Sequence, residues 1–235
     1  MVELFETGTP GHKVRGVLIV PGEGKKWPCV VLSHGLISSK ESAKYVALSD
    51  GFAAAGIASC RFDYHGCGES DGNIEETTLT ERLANLESVT AFVLAHPFID
   101  GERVGLLGSS FGGCTSLVKA ARDHRIRCVS LWATPYQLTH KEDPSAEGIA
   151  FKESLYADFG GYDLLAEAQK VSRGLVIHGD KDEVVPAGEG SAIYEHLGEP
   201  KAFELIRGGD HIFSNDVDRE RAIRLSLQWF GQFLV

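Results

Sequence analysis

Two serines stand side by side in "LLGSSFGGC", residues 106–114, with one glycine before the pair and two behind it. A serine hydroxyl is a weak nucleophile until a neighbouring base takes its proton and an acid orients that base. A sharp strand-to-helix turn pushes such a hydroxyl out of the fold. The residues two before and two after it then press against the turn and must lack side chains. Gly108-Ser109-Ser110-Phe111-Gly112 satisfies G-x-S-x-G and selects Ser110 as the nucleophile. Ser109 is excluded, because Leu107 and Phe111 occupy the same offsets around it. Gly113 is expected to let the following helix pack closely against the sheet.

Among nine histidines, His211 in "RGGDHIF" (207–213) is the expected base. It follows the strand-like "KAFELI" and precedes the last helix-like segment, at the strand end where open α/β sheets bind ligands. Two acids follow another strand in "VIHGDKDEVVP" (176–186), Asp180 and Asp182. Asp182 lies further into the loop and is preferred. Asp210 adjoins His211, but neighbouring side chains on an extended loop diverge. Attack on a carbonyl creates an oxyanion that needs backbone N–H donors. Phe111, directly after the nucleophile, supplies one; Leu36, in the "LSHGLISS" loop (32–39) with His34 and Gly35 as supporting residues, supplies the other.

These residues need a scaffold of alternating strands and helices. Apolar, β-branched runs predict strands at 14–20, 29–34, 57–62, 103–108, 126–133, 174–179 and 201–206. Between them "TLTE" opens a helix with Thr78 as N-cap and Glu81 reaching back, followed by a stripe of Leu79, Leu83, Leu86 and Val93. A second stripe, Ile223, Leu227, Phe230 and Leu234, ends the chain. Strands alternating with helices predict a single α/β domain over 1–235, with a mostly parallel twisted sheet covered on both faces. Residues 134–173 are too long for a plain connection and carry Phe151, Leu155, Tyr156, Phe159 and Tyr162, so a small helical cap is expected there.

Composition narrows the function. The net charge of −10, without a run of lysines and arginines, argues against a nucleic-acid partner. No apolar stretch approaches a membrane span, and "MVELFETGTPGHK" has no apolar signal-peptide core. The five cysteines, Cys29, Cys60, Cys67, Cys114 and Cys128, are odd in number and form no C-x-x-C pair. They read as buried free thiols in a reducing cytoplasm. "GCGESDG" lacks the third glycine of a dinucleotide fingerprint, and neither GxxxxGK[ST] nor HExxH occurs.

The pieces "SHG", "RFDYHGCGES" (61–70), "GSSFGG", "GDKDEVVP" and "GGDHIF" resemble the α/β-hydrolase family, in its chain order and over nearly the full length. Ser110, Asp182, His211 is the nucleophile–acid–base order of that fold. Within the family the chain is similar to small-capped serine esterases, including the feruloyl/cinnamoyl esterase-like group. The resemblance implies Ser110 as nucleophile, Asp182 as acid, His211 as base, Leu36 and Phe111 as oxyanion donors, and "DYHGCGES" as a structural loop near the site. His65 stands where an arginine is common. The 134–173 insertion is shorter than the lid of typical feruloyl esterases. Dienelactone-hydrolase-like proteins share much of the pattern but carry cysteine where Ser110 stands.

The expected function is a cofactor-free, metal-free serine hydrolase cleaving small to medium carboxylic esters. Its expected partner is a small-molecule ester, with no nucleic acid and no membrane. Oligomeric state is open, a homodimer being one option. Thioesterase or peptidase action on the same triad, and a non-catalytic hydrolase-fold binding protein, are the alternatives.

Overall fold

The computed structural model describes residues 1–9, 11–138 and 148–235. Eight strands form one sheet in the order β1-β2-β4-β3-β5-β6-β7-β8. They are β1 (Val2–Thr9), β2 (His12–Ile19), β3 (Trp27–Ser33), β4 (Ala58–Phe62), β5 (Ile99–Ser109), β6 (Ile126–Trp132), β7 (Ser172–Gly179) and β8 (Gly198–Ile206). The β1–β2 and β2–β4 pairs are antiparallel, and from β4 to β8 every pair is parallel. The seven expected strands correspond to β2–β8. β1 is an additional edge strand.

Helices α1 (Ala43–Ala54), α2 (Leu79–Ala95), α3 (Phe111–Arg122), α4 (Glu153–Phe159), α5 (Leu164–Ala168), α6 (Ala187–His196) and α7 (Asp216–Leu234) complete the described elements, with a short 3-10 turn at Ile74–Glu76. The sheet separates two hydrophobic clusters, and the pleat shows in β3. Val31 joins the cluster that contains Leu86, Val89 and Leu117 of α2 and α3. Val30 and Leu32 join the one that contains Leu48, Phe52 and Phe230 of α1 and α7. Side chains alternate across a strand, so a run of apolar residues feeds both layers.

Thr78 caps α2 as expected, its side chain accepting from the Glu81 N–H at 3.1 Å. The Glu81 carboxylate instead lies 3.2 Å from His12 Nδ1. The buried face of α2 differs from the expected stripe. Arg82 and Asn85 are buried with Leu79, Leu86, Val89 and Val93, while Leu83 is only partly buried. In α7 the buried line is Ala222, Ser226, Phe230 and Leu234, with Ile223 and Leu227 at its margin. Within the region expected to form a cap, α4 and α5 are described, and residues 139–147 lie outside the described residues.

Candidate active site

The turn from β5 into α3 is as tight as its glycines require. Ser110 has φ 55° and ψ −126°, a left-handed backbone that costs a non-glycine residue roughly 1–3 kcal/mol. A Cβ on Gly108 would stand 2.3 Å from the Gly112 carbonyl oxygen, and one on Gly112 would stand 2.2 Å from that of Ser33. Both contacts are with backbone, which cannot move aside. The Ser110 N–H donates to the Trp132 carbonyl at 2.7 Å, tying the turn to β6.

Ser110 Oγ lies 3.0 Å from His211 Nε2. His211 Nδ1 lies 3.0 and 2.9 Å from the two Asp182 oxygens. An Nδ1–H directed at Asp182 leaves Nε2 as the acceptor facing the serine. The structure thus brings Ser110, His211 and Asp182 together from three separate loops. Asp180 is elsewhere: it accepts the Gly208 N–H at 2.6 Å and ties the β7 and β8 loops to each other. Asp210 accepts from the Ser214 backbone and hydroxyl rather than from His211.

Asp182 has no exposed side-chain surface. Burial alone would raise its pKa. Hydrogen bonds from His178 and His211, with the Val185 N–H, outweigh burial and hold the carboxyl well below its usual range. The Val184 and Val185 N–H groups reach Oδ1 at 3.0 and 2.7 Å. His178, fully buried, places Nε2 3.2 Å from Oδ2 and 3.0 Å from the Val185 carbonyl. Sequence reasoning missed His178. It lies inside β7, where a histidine reads as an ordinary strand residue.

The loop after β3 packs on the nucleophile: a Cβ on Gly35 would lie 3.5 Å from Ser110 Cβ. His34 is buried, with Nδ1 2.7 Å from the Gly35 carbonyl and Nε2 accepting the Tyr64 N–H at 3.0 Å. Burial, helped by the nearby Arg82 charge, pushes its pKa down to about 3, so the ring is neutral. Arg82, also completely buried, donates to the carbonyls of His34, Gly35 and Leu36 at 3.4, 3.0 and 2.9 Å. A trans peptide places its C=O and N–H on opposite sides. The Gly35 carbonyl faces Arg82, so the Leu36 N–H points away from it. Phe111 opens α3, and its N–H belongs to the first turn, which has no intrahelical acceptor. Arg82 was also missed, though a charged residue within the apolar face of α2 was a visible signal.

The "DYHGCGES" loop braces this region. Cys67 Sγ donates to the Leu36 carbonyl at 3.8 Å, and buried Asp63 accepts from Lys40 Nζ at 2.7 Å and from the Glu69 N–H at 3.0 Å. His65 stacks on His12 with ring centroids 4.8 Å apart, and its buried Nδ1 has no hydrogen-bond partner. With Glu81 these two histidines offer ligand atoms within 4.8 Å of one another. Their ring planes are only 16° apart, however, so the in-plane nitrogen lone pairs run side by side and do not converge on one point. All five cysteines are buried and unpaired.

Comparison with known proteins agrees with this architecture. A family model described as X-Pro dipeptidyl-peptidase (S15 family) matches residues 11–170. The uncharacterized protein YfhR of Escherichia coli (strain K12) is 31% identical over 171 residues, covering 69% of this chain and 57% of that protein. The mitochondrial palmitoyl-protein thioesterase ABHD10 of Homo sapiens is 29% identical over 188 residues, covering 68% and 59%. The chain therefore spans less than two thirds of the length of these relatives. Est1E from Butyrivibrio proteoclasticus, solved with ferulic acid bound, superposes with a TM-score of 0.83 at 22% identity, covering 97% of this chain and 99% of that one. No described helix is long and apolar enough to cross a membrane. On the family match, the fold and the strand-to-helix turn at Ser110, the chain belongs to the S15 family of α/β-hydrolases.

Proposed function

We propose that this protein is a serine hydrolase that cleaves carboxylic esters of small to medium acyl or aryl groups through an acyl-enzyme. The observation that carries the proposal is the relay from Ser110 Oγ through His211 to Asp182, with contacts of 3.0 and 2.9 Å. His211 Nε2 takes the hydroxyl proton as Ser110 Oγ attacks the ester carbonyl, and Asp182 stabilises the imidazolium. The N–H groups of Phe111 and Leu36 receive the oxyanion. The tetrahedral intermediate collapses as His211 returns the proton to the leaving alcohol. Water then attacks the acyl-Ser110 ester, with the same imidazole as base.

The described helices of the 134–173 insertion support its reading as a small cap over the acyl group. Phe159 of α4 packs on Phe111 with ring centroids 5.7 Å apart. A short cap favours acyl groups smaller than the phenolic acids of feruloyl esterases. Five unpaired thiols support a reducing compartment such as the cytoplasm. A second reading, thioester cleavage on the same residues, is favoured by the relatives named as a palmitoyl-protein thioesterase and a thiohydrolase.

A fluorophosphonate probe tests the reading. It is expected to label Ser110 in the wild type, and Ser110→Ala is expected to remove both the label and nearly all ester hydrolysis while keeping the fold. Absence of an adduct on Ser110 would instead favour a non-catalytic binding protein. Paired oxygen and thiol esters of the same acyl group separate esterase from thioesterase.

A further inference from the structure

A cavity of about 580 Å³ is lined by residues that neighbour the site in the chain, although Ser110 and His211 are not themselves in its wall. Ile37 follows Leu36, Ile212 follows His211, and Lys44 Nζ donates to the Ser109 hydroxyl at 2.9 Å. Ile74 and Phe213 add further apolar surface, while Ser38, Ser39, Ser42 and Ser214 make the rest of the wall polar. The only charged residues lining it, among the described residues, are Lys44 and Arg219. Yet the chain carries 33 acidic residues against 23 lysines and arginines. In an acidic protein, a pocket whose charged lining residues are both cations selects for charge.

The two cations differ. Arg219 is paired with Asp216 and donates to the carbonyls of Phe213 and Ser214, so its charge is largely matched. Lys44 has no carboxylate within ion-pairing distance among the described residues, and its hydrogen-bond partner is a neutral hydroxyl. The acid whose charge reaches it is Asp210, which is occupied by Ser214. Half-buried Lys44 is depressed to about 8 by burial, against the field of Asp210, and retains most of its charge at neutral pH. The first turn of α1, at Ser42 and Ala43, faces the same space and adds its partial positive charge. Ser109, excluded as a nucleophile, thus has a place in the site as the anchor of Lys44.

We propose that this cavity binds a carboxylate carried by the ester substrate, with Lys44 as the specificity-determining residue. One unmatched cation suits a monoanion, and the apolar part of the wall suits a short hydrocarbon spacer between the carboxylate and the scissile bond. The proposal rests on the serine hydrolase reading above.

The test compares two ester pairs. In one the carboxylate is on the acyl side: 4-nitrophenyl hemisuccinate against its methyl-capped neutral analogue. In the other it is on the alcohol side: the butyrate ester of glycolic acid against that of glycolamide. The wild type should favour the anion in kcat/KM by at least about tenfold in one pair, the scale of one charge-assisted hydrogen bond. The pair that responds identifies the side. Lys44→Met should reduce the ratio to one or below, and Lys44→Arg should restore part of it. A wild-type ratio of one or less in both pairs, with the neutral esters turned over, overturns this proposal and leaves the hydrolase reading intact. A ratio retained in Lys44→Met also overturns it. If none of the four esters is cleaved and Ser110 resists the fluorophosphonate, both readings fail together.

Discussion

Arg82 donates to the carbonyl oxygen of Gly35 from 3.0 Å, and that bond fixes the direction of the Leu36 N–H in the same peptide plane. The guanidinium has no exposed surface, is paired with carbonyls rather than with an acid, and lies 4.5 Å from the Tyr64 ring centroid. Its desolvation lowers its own pKa. Such a costly cation is worth keeping where it holds something in place.

Arg82→Met is therefore expected to lower kcat by about 10²-fold, the scale of one lost oxyanion donor, with KM changed far less. It should also lower Tm, because three carbonyls lose a buried donor. Arg82→Lys should fall between, since an ammonium cannot span adjacent carbonyls as a planar fork does. A purely structural Arg82 would lower Tm and leave kcat of the folded fraction unchanged.

The parts legible in the sequence were those with local causes. Gly108 flags the turn through a clash with the Gly112 carbonyl, within five residues, whereas Gly112 is constrained by the distant Ser33 and His34 carbonyls and is legible only through the motif. β2 to β8 announce themselves by apolar runs. β1 did not, because at the sheet edge only Phe5 of its eight residues is buried and its "VELFETGT" reads as polar. Asp180 and Asp182 were separable only by weak positional argument, since which carboxylate meets His211 depends on a pairing between distant loops. The charge of Arg82 on the apolar face of α2 was visible, but what it holds, like the partners of Lys44 and His178, was not, for the same reason. Their partners lie 47, 65 and 4 positions away, and even the nearest, Asp182, is reached only because its loop folds back over β7.

The glycine argument is itself testable. Gly112→Ala places a Cβ 2.2 Å from the Ser33 oxygen and 2.4 Å from that of His34. Backbone must shift to relieve this, and a cost of about 3 kcal/mol or more is expected. Gly231→Ala in α7, where a Cβ meets nothing within 4 Å, should be neutral or stabilising by up to about 1 kcal/mol. Chemical denaturation of both variants gives the comparison. Equal effects would mean that the turn is looser than its contacts imply.

Asp182→Asn should leave the loop hydrogen-bonded to Val184 and Val185 but remove the charge that stabilises the imidazolium. A fall in kcat of about 10³–10⁴ is expected. Asp180→Asn, at a side chain that accepts the Gly208 N–H and does not meet His211, should stay within a few-fold of wild type. Steady-state kinetics on one ester decides between them. A large loss in Asp180→Asn with little in Asp182→Asn would reassign the acid.

Acid should destabilise the protein through His34. Its folded pKa is pushed from 6.5 to about 3 by burial and the Arg82 charge. Below pH 6.5 the unfolded chain protonates this ring and the folded protein does not. The stability present above pH 6.5 is thus lost progressively as pH falls towards 3, at about 1.4 kcal/mol per pH unit once the unfolded ring is fully protonated. Between pH 6 and 4.5 depressed aspartates such as Asp182 contribute little, because their ordinary value is 3.8, and the depressed glutamates, with an ordinary value of 4.5, act alike in wild type and variant and cancel in the comparison. His34→Gln keeps an acceptor for the Tyr64 N–H but cannot titrate. Urea denaturation at several pH values in this window should therefore show a shallower loss for the variant, by about 2 kcal/mol over the interval. Parallel slopes would mean that His34 takes up its proton in the folded state, and that the loop behind Leu36 opens to water.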